Sequence, residues 1–375
     1  MKKINFNNTN ILFAYYFVFA FTIVLVGMLR PALNWDMIGY VAAAKHFEIM
    51  GIVELHQFVF ENLKNFVTPD EYFLLTDGNS QYVIDMATKP ELFTQQLPFY
   101  EIRPLYTLSI LLISKFGVNI FAATYVMSLF STVLGIFLLL LTFKSKIHMG
   151  LLYILPFFLM FFGILSTAKL STPDAMVFLS LSIFIYLFSK EKVMPLLIII
   201  PIFVLVRTDM IIFNFIALVI ISFLYKDCIV KSFLSFLMTI ALYLFINHYF
   251  HNYGWSTIFS MTLLERVSNP ADVNFTVSVI DYIHAFTRGV YTSLDDRAFL
   301  GFISVVASSL ILMRTFTKSF SDNKEIWAYT VIPILYIAIH FILFPVPWNR
   351  FFIGFYTMAS IAMLLLFSQL IKKYD

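Results

Sequence analysis

The chain has 375 residues, of which 60% are hydrophobic, 18% are aromatic and only 13% are charged, and its formal net charge is +3. Soluble domains carry about 45–50% apolar and about 25% charged residues, so this composition excludes a soluble enzyme, a nucleic-acid-binding protein and a disordered protein. A single cysteine, Cys228, excludes an intrachain disulfide and a Cys-based metal cluster. The sequence therefore predicts an all-α, polytopic membrane protein, with residues 1–375 forming one integral membrane domain.

Ten apolar runs are predicted to cross the membrane, because a spanning helix needs roughly 20 apolar residues. They cover residues 11–29, 118–143, 149–166, 175–189, 193–206, 208–225, 232–250, 298–313, 326–344 and 351–371. Segment 105–116 is apolar but too short to span. Since Pro104 precedes it with a helix-compatible φ, we expect an interfacial or re-entrant helix there.

The distribution of charge predicts which loops share a side of the membrane. With ten spans, alternate connections hold thirteen of the 25 Lys and Arg residues but only five of the 22 Asp and Glu residues. Excess Lys and Arg marks the cytoplasmic side, so both termini are predicted to be cytoplasmic, in the cell inner (cytoplasmic) membrane. These bases are Lys2, Lys3, Lys144, Lys146, Lys190, Lys192, Lys226, Lys231, Arg314, Lys318, Lys324, Lys372 and Lys373.

Two long segments are predicted on the opposite, extracytoplasmic side. Residues 30–103 form the first outer loop and residues 251–297 form the second. Connections of this length inside a compact protein usually have a function or contain their own helices. We therefore expect interfacial helices in the first outer loop.

Asp36 is the first candidate for chemistry, because an ionisable group at the membrane boundary is costly to keep there. It follows the first span, and a helix would place Asp36 and Tyr40 one turn apart on one face. A carboxylate in a partly dry cavity suits a general base, because burial raises its pKa towards the working pH. The structural alternative is that Asn34 or Asp36 caps the N-terminus of an interfacial helix.

Two further polar segments interrupt the apolar runs on the same predicted side. Lys169 and Asp174 flank a Ser-Thr-Pro sequence, which also favours a helix start with the acid in its first turn. Capping does not explain Lys169, and a point positive charge at this depth suits a phosphate. Arg207 and Asp209 lie in the second interruption, where the simplest explanation is that the two side chains pair across a turn.

Four cations are predicted at this face, and together they would suit the phosphate of a lipid-linked ligand. Each also has an ordinary explanation, since arginine beside aromatic residues anchors a chain at the membrane interface. No Gly-rich phosphate loop, Ser/His/Asp arrangement or nucleotide fingerprint is present, and neither a metal nor an organic cofactor is predicted. The four cations are Arg103, Lys169, Arg207 and Arg350.

Short motifs containing these residues follow one another along the chain. They are Trp35-Asp36-x-x-x-Tyr40, Tyr100-x-x-Arg103-Pro104, Lys169-x-x-x-x-Asp174, Val206-Arg207-x-Asp209 and Asn349-Arg350-Phe351-Phe352. With them, the layout of nearly the whole chain resembles that of the GT-C-type polytopic membrane glycosyltransferases, which use polyprenyl-phosphate sugars as donors.

The resemblance implies an inverting transfer of a sugar from polyprenyl phosphate to a hydroxyl of a glycan, lipid or protein acceptor on the extracytoplasmic face. It implies Asp36 as the general base. Phosphate is a good leaving group, so a cationic clamp can replace a general acid. Many members carry a second acid after the first, where this chain has Met37, so single-base catalysis is expected. The implied substrate-binding residues are Tyr40, Arg103, Lys169, Asp174, Arg207 and Arg350.

Other functions fit the same composition. An O-antigen-type polymerase or ligase for lipid-linked glycans usually carries its largest loop late in the chain, whereas here it follows the first span. A transporter or flippase predicts ionisable groups in the middle of spans, and the predicted spans are almost free of charge. A non-catalytic subunit with a decayed site is a further alternative. The sequence favours the glycosyltransferase, acting in the lipid bilayer with no nucleic-acid partner.

Overall fold

A computed structural model of the chain describes residues 6–316 and 323–374. Lys2, Lys3 and Lys318, which contribute to the charge prediction, lie outside these residues. Helices dominate the described part, and an isolated parallel bridge joins Ala32 to Leu170. The α-helices are Phe6–Leu29, Trp35–His46, Ile52–Phe66, Pro69–Thr76, Gln81–Thr88, Pro90–Thr94, Pro98–Glu101, Pro104–Lys115, Ile120–Phe143, Met149–Leu152, Leu155–Phe161, Ile164–Lys169, Asp174–Ser189, Val193–Ile199, Met210–Leu224, Ile229–Tyr249, Trp255–Phe259, Val279–Asp295, Arg297–Phe316, Lys324–Leu343 and Asn349–Tyr374. Short 3₁₀ helices cover Ile200–Leu205 and Lys226–Cys228, and a π-helical turn covers Ser260–Leu264.

Within the described residues, six helices are long and apolar enough to cross a bilayer. They correspond to six of the ten predicted spans and indicate a multi-pass membrane protein in a lipid bilayer. Large apolar side chains such as Phe17, Phe21 and Phe245 remain exposed on them, as expected for surfaces that face lipid. These helices contain the stretches Thr9–Leu29, Ile120–Phe143, Lys226–Tyr249, Arg297–Arg314, Lys324–Leu343 and Asn349–Lys373.

The other four predicted spans are shorter or interrupted. The run 149–166 contains parts of three helices, and Gly163 at its second break has a φ of 90°. The run 193–206 changes from an α-helix to a 3₁₀ helix at Ile200. Helix Asp174–Ser189 has 16 residues, or about 24 Å at roughly 1.5 Å per residue, against a hydrocarbon core of about 30 Å. Because these four segments are short or interrupted, their assignment as membrane-spanning helices stays a prediction.

The long helices join two ends of the bundle. At the end that we call the basic end, Lys146 pairs with Glu325 and donates to the Ser189 carbonyl. At the end that we call the site end, arginines meet carboxylates from three segments. Helix Asp174–Ser189 contributes a residue to each end, so it joins them despite its length. The ten-span alternation of loops and the end that faces the cytoplasm both stay predictions.

Close packing fixes this short helix in the middle of the bundle. A Cβ atom on Gly135 of helix Ile120–Phe143 would clash with the Phe178 ring, and one on Gly354 of helix Asn349–Tyr374 would clash with Leu181. The absence of side chains at both glycines lets two neighbouring helices approach closely, as small residues do at membrane helix interfaces. The start of the helix, Asp174, is therefore held by two long helices.

Residues 30–103, the predicted outer loop, fold into six short helices between Trp35 and Glu101. The first of them, Trp35–His46, is buried from Met37 to Ala44, so it packs as part of the core. The predicted short helix after Pro104 is confirmed as Pro104–Lys115. The chain thus places a buried helix, rather than a solvated loop, directly after the first long helix.

Candidate functional site

Asp36 lies in the first turn of helix Trp35–His46, but it does not cap the helix. Asn34 is the cap, since its side-chain oxygen accepts a hydrogen bond from the Met37 amide at 3.3 Å. The Asp36 carboxylate instead accepts from Asn34 Nδ2 at 3.3 Å and from Arg350 Nη1 at 3.3 Å. Because the Asp36 side chain is 31% exposed, this carboxylate is accessible to a ligand.

Arg350 connects Asp36 to a second acid. It lies in the first turn of helix Asn349–Tyr374, and its Nε atom is 3.6 Å from Asp174 Oδ2. Its guanidinium lies 4.8 Å from the centroid of the Trp348 ring and 5.4 Å from that of Phe351. Aromatic faces attract a guanidinium and restrict its orientation, so Arg350 is held between the two carboxylates.

Asp174 is buried, with a side chain that is 2% exposed. Thr172 Oγ1 donates to Asp174 Oδ2 at 2.7 Å, and Arg207 Nη1 donates to Asp174 Oδ1 at 2.6 Å. The expected place of Asp174 in the first turn of its helix is confirmed. Neither Ser171 nor Thr172 caps that helix: Ser171 Oγ accepts from Thr124. The Thr172 hydroxyl instead donates its hydrogen bond to the Asp174 carboxylate.

Arg207 lies deeper, and its side chain is 5% exposed. The expected pairing with Asp209 is present: Arg207 Nε is 2.9 Å from Asp209 Oδ1, and Nη2 binds the second oxygen. The guanidinium also lies 4.2 Å from the centroid of the Phe351 ring. Arg207 thus joins Asp174 to Asp209, because buried charges are tolerated only when they are paired.

Two residues at the inner end of this arrangement were not predicted from the sequence. Tyr336 donates to Asp209 Oδ2 at 2.9 Å, and His340 Nε2 lies 3.4 Å from the same oxygen. His340 is buried within helix Lys324–Leu343, and its Nδ1 atom has no hydrogen-bond partner among the described residues. A histidine inside an apolar helix is itself a signal for function, although the predicted spans were expected to be almost free of charge.

These contacts form a continuous series, the charged chain, defined as Asp36, Arg350, Asp174, Arg207 and Asp209. Carboxylates and guanidiniums alternate along it, and Asp36 and Arg350 at its rim are 31% and 23% exposed, whereas Asp174 and Arg207 inside are nearly inaccessible. With three acids and two arginines, the charged chain has a surplus carboxylate. Asp209 is 26% exposed but accepts hydrogen bonds from Arg207 and Tyr336, whereas Asp36 at the rim has one arginine contact at 3.3 Å, so Asp36 is the member that can accept a proton.

Tyr40 and Arg103 border the charged chain without pairing with it in the described residues. Tyr40 is buried, with its ring edge-to-face against Tyr100 at 5.0 Å and Tyr106 at 4.9 Å. The Arg103 guanidinium lies 5.7 Å from the Tyr40 ring centroid and donates to the Phe99 carbonyl. Both therefore hold helix Trp35–His46 in place, and direct contact with a substrate stays a prediction for them.

Lys169 differs from the three arginines. Its carbonyl accepts a hydrogen bond from the Ala32 amide at 3.1 Å, which places Lys169 beside the segment that leads into Asp36. Within residues 6–316 and 323–374, its amino group has neither an ion pair nor a hydrogen bond. Of the four predicted cations, Lys169 is thus the one whose charged group contacts no carboxylate, carbonyl or aromatic ring in this part of the chain, whereas Arg103 contacts the Phe99 carbonyl and the Tyr40 ring.

A recess of about 210 Å³ lies next to the rim of the charged chain. Its walls come from segment 345–348, helix Val279–Asp295 and the π-helical turn, and they carry Trp348, Arg288 and Thr292. Trp348 also contacts Arg350, so the recess opens beside the accessible arginine. Among the residues that the structure describes, no group of three or more His, Cys, Asp or Glu side chains is placed to hold a metal ion.

The far end of helix Trp35–His46 carries a contact that is sensitive to pH. His46 Nδ1 lies 2.5 Å from Glu101 Oε1, and this hydrogen bond raises the pKa of His46 above its ordinary value, although burial opposes the shift. Because the pKa of His46 is higher in the folded protein than its value of about 6.5 in the unfolded chain, protonated His46 stabilises the fold at pH values below about 6.5. This stabilisation is lost as the pH rises through the pKa of His46 in the folded protein. We expect the melting temperature to fall over that window, and less so in His46→Gln.

The control for this measurement is His284→Gln, which removes an exposed histidine from another helix. It should keep the slope of the wild type. An unchanged slope in His46→Gln, measured by thermal unfolding between about pH 6 and pH 8, would show that the contact with Glu101 does not contribute.

Comparisons with protein-family models, with curated protein sequences and with solved structures returned no match.

Proposed function

We propose that the chain is an inverting membrane glycosyltransferase that moves a sugar from a polyprenyl-phosphate donor to an acceptor hydroxyl on the extracytoplasmic face. The observation that carries this proposal is the accessible carboxylate of Asp36, which is free of a capping role and lies at the rim of a buried series of paired charges. The resemblance of the motifs to GT-C-type enzymes supplies the reaction class.

In the proposed reaction, the Asp36 carboxylate takes the proton from the acceptor hydroxyl. The hydroxyl oxygen then attacks the anomeric carbon and forms the new glycosidic bond. The bond between that carbon and the phosphate oxygen breaks, and the electron pair leaves with polyprenyl phosphate. Because attack and departure occur on opposite faces, the configuration at the anomeric carbon inverts. A general base of this kind contributes typically about 10²–10⁴-fold to the rate.

Burial and pairing together assign different roles to the three carboxylates, because Asp209 is 26% exposed but bound by Arg207 and Tyr336. Asp174 and Asp209 accept hydrogen bonds from Arg207, and Asp174 is nearly inaccessible, so neither is placed to take a proton from a substrate. Asp36 has a single contact with an arginine, Arg350 at 3.3 Å, besides a hydrogen bond from the neutral Asn34 amide at 3.3 Å. We assign Asp36 as the base, and Asp174 and Arg207 as residues that position Arg350. Met37 is fully buried, which agrees with a single base at this position.

The leaving phosphate is assigned to Lys169 and Arg350. Arg207 is enclosed by Asp174 and Asp209, so its charge is already neutralised. Lys169 has no such partner in the described part of the chain, and Arg350 is partly exposed beside the recess at Trp348. Cations near a departing phosphate stabilise the charge that develops in the transition state.

The test of this function is consumption of a donor. Membranes with the expressed chain would be supplied with a panel of polyprenyl-phosphate hexoses and pentoses, and release of polyprenyl phosphate would be followed by mass spectrometry. We expect release from one class of donor when acceptor-containing envelope extract is present. Membranes that lack the chain serve as the control, and no release from any donor would contradict the proposal.

Arg350→Gln and Lys169→Gln are expected to impair donor use with little loss of stability. A charge-assisted contact to phosphate contributes roughly 1.5–3 kcal/mol, so each variant should lower kcat/KM for the donor by about 10–100-fold. Steady-state kinetics over donor concentration measures the effect. The matched control is Arg297→Gln, an exposed arginine outside the charged chain. Equal losses in the control and in both variants would remove the assignment.

A transporter of lipid-linked glycans is the second candidate, because His340 is an ionisable group buried within an apolar helix. Such groups are typical of ion and substrate pathways. The two functions differ in mass balance: a transporter moves the labelled lipid between leaflets without consuming it. Translocation of intact donor by the purified protein, without release of polyprenyl phosphate, would favour the transporter.

A further inference from the structure

A second cavity lies at the basic end, away from the charged chain. It has a volume of about 480 Å³, within the range of about 300–1,000 Å³ that is typical of ligand sites. Its walls come from the loop at residues 145–146, the end of helix Asp174–Ser189 and the two long helices Lys324–Leu343 and Asn349–Tyr374. Nothing in the proposed transferase reaction uses it.

Three lysines from three segments line this cavity, and they differ in their partners. Lys146 pairs with Glu325. Lys324 contacts the Tyr225 ring, with its Nζ atom 4.8 Å from the centroid, and Lys372 donates to the Lys146 carbonyl at 3.4 Å. Within the described residues, Lys324 and Lys372 have no ion pair with a carboxylate. Their two positive charges are therefore available to a ligand.

The remaining lining favours a phosphate attached to a lipid. Lys324 begins a 20-residue helix, where free amide groups and the helix dipole favour an anion. Phe188, Ile326 and Leu365 provide apolar wall beside the polar groups. The cavity lies where the long apolar helices end, which is the depth of lipid headgroups.

We propose that this cavity binds the phosphate of an anionic phospholipid from the adjacent leaflet, with Lys324 and Lys372 as its ligands. Anionic lipid is favoured over zwitterionic lipid because the cavity has three lysines against Glu191 and Glu325. Basic pockets between membrane helices bind anionic headgroups for this reason, at about 1 kcal/mol per cation near the surface. The proposal is independent of the transferase chemistry.

Native mass spectrometry of the purified full-length chain tests it, with phosphatidylglycerol and phosphatidylcholine of identical acyl chains as probes. The wild type should retain phosphatidylglycerol preferentially. Lys324→Gln/Lys372→Gln should weaken its retention by about 25-fold, or about fivefold per lysine. The control Lys190→Gln/Lys231→Gln removes two exposed lysines outside the cavity and should leave it unchanged.

Each other outcome would overturn the proposal. Undiminished retention in the Lys324/Lys372 variant removes the site, and an equal loss in the control assigns the effect to general surface charge. Displacement of the lipid by millimolar inorganic phosphate or glycerol 3-phosphate would identify a soluble ligand instead. If the double variant fails to fold, Lys372→Gln alone provides the test, because this side chain is exposed and its removal leaves the packing intact.

Discussion

Replacement of Asp36 by asparagine is expected to lower the release of polyprenyl phosphate by about 10²–10⁴-fold, the usual contribution of a general base. The amide keeps the size of the side chain and one acceptor oxygen for Arg350, but it cannot take a proton. Since Asp36 and Arg350 are 31% and 23% exposed, loss of their ion pair should cost at most about 1 kcal/mol of stability. Transfer should therefore be lost while the protein remains folded.

Asp70→Asn is the matched control for this variant. Asp70 is exposed and occupies the second position of helix Pro69–Thr76, as Asp36 does in helix Trp35–His46. Both substitutions remove a carboxylate that interacts favourably with a helix dipole, but only Asp36 belongs to the charged chain. Near-normal transfer in Asp36→Asn would refute its role as the base, and a loss equal to that in Asp70→Asn would indicate an effect on the helix alone.

The fold was predictable to the extent that it depends on local composition. An apolar run of 20 residues reveals a spanning helix by itself, and all six long helices coincide with predicted spans. The interruptions at Gly163 and Ile200 depend on backbone conformation inside apolar runs, which hydropathy does not record. Burial of helix Trp35–His46 was also missed, because a polar segment after the first span gives no sign of what packs on it.

The members of the charged chain were predictable, but Tyr336, His340 and the contacts between distant segments were not. Asp36, Asp174, Arg207 and Arg350 were selected because charges at a membrane boundary are costly, and the structure joins them through contacts between distant segments. The pair of Arg207 with Asp209 was expected because the two residues are close in sequence, but the partners from distant segments could not be inferred, because sequence distance does not report spatial contact. Of the four cations expected to bind a phosphate, Arg207 and Arg350 pair with acids. Arg103 packs against the Tyr40 ring, and binding of a phosphate by Lys169 and the exposed part of Arg350 stays a prediction.

Replacement of Arg207 by methionine is expected to destabilise the protein by about 3–5 kcal/mol. It would leave the carboxylates of Asp174 and Asp209 without their cation, and removal of one partner from a buried pair typically has this cost. Arg350→Met should cost at most about 1 kcal/mol, because its pair with Asp36 is partly exposed. Thermal unfolding of the detergent-solubilised variants, at one scan rate because such unfolding is often irreversible, measures both.

A second variant distinguishes the destabilisation caused by unpaired carboxylates from that caused by the loss of the arginine side chain itself. Arg207→Met combined with Asp174→Asn and Asp209→Asn removes both acids that the arginine neutralises, so it should recover much of the stability of Arg207→Met. Transfer should stay low in this folded variant, because Arg350 loses the Asp174 carboxylate that positions it. If recovery of stability restored transfer as well, the buried half of the charged chain would support the fold alone, and catalysis would depend only on its exposed rim.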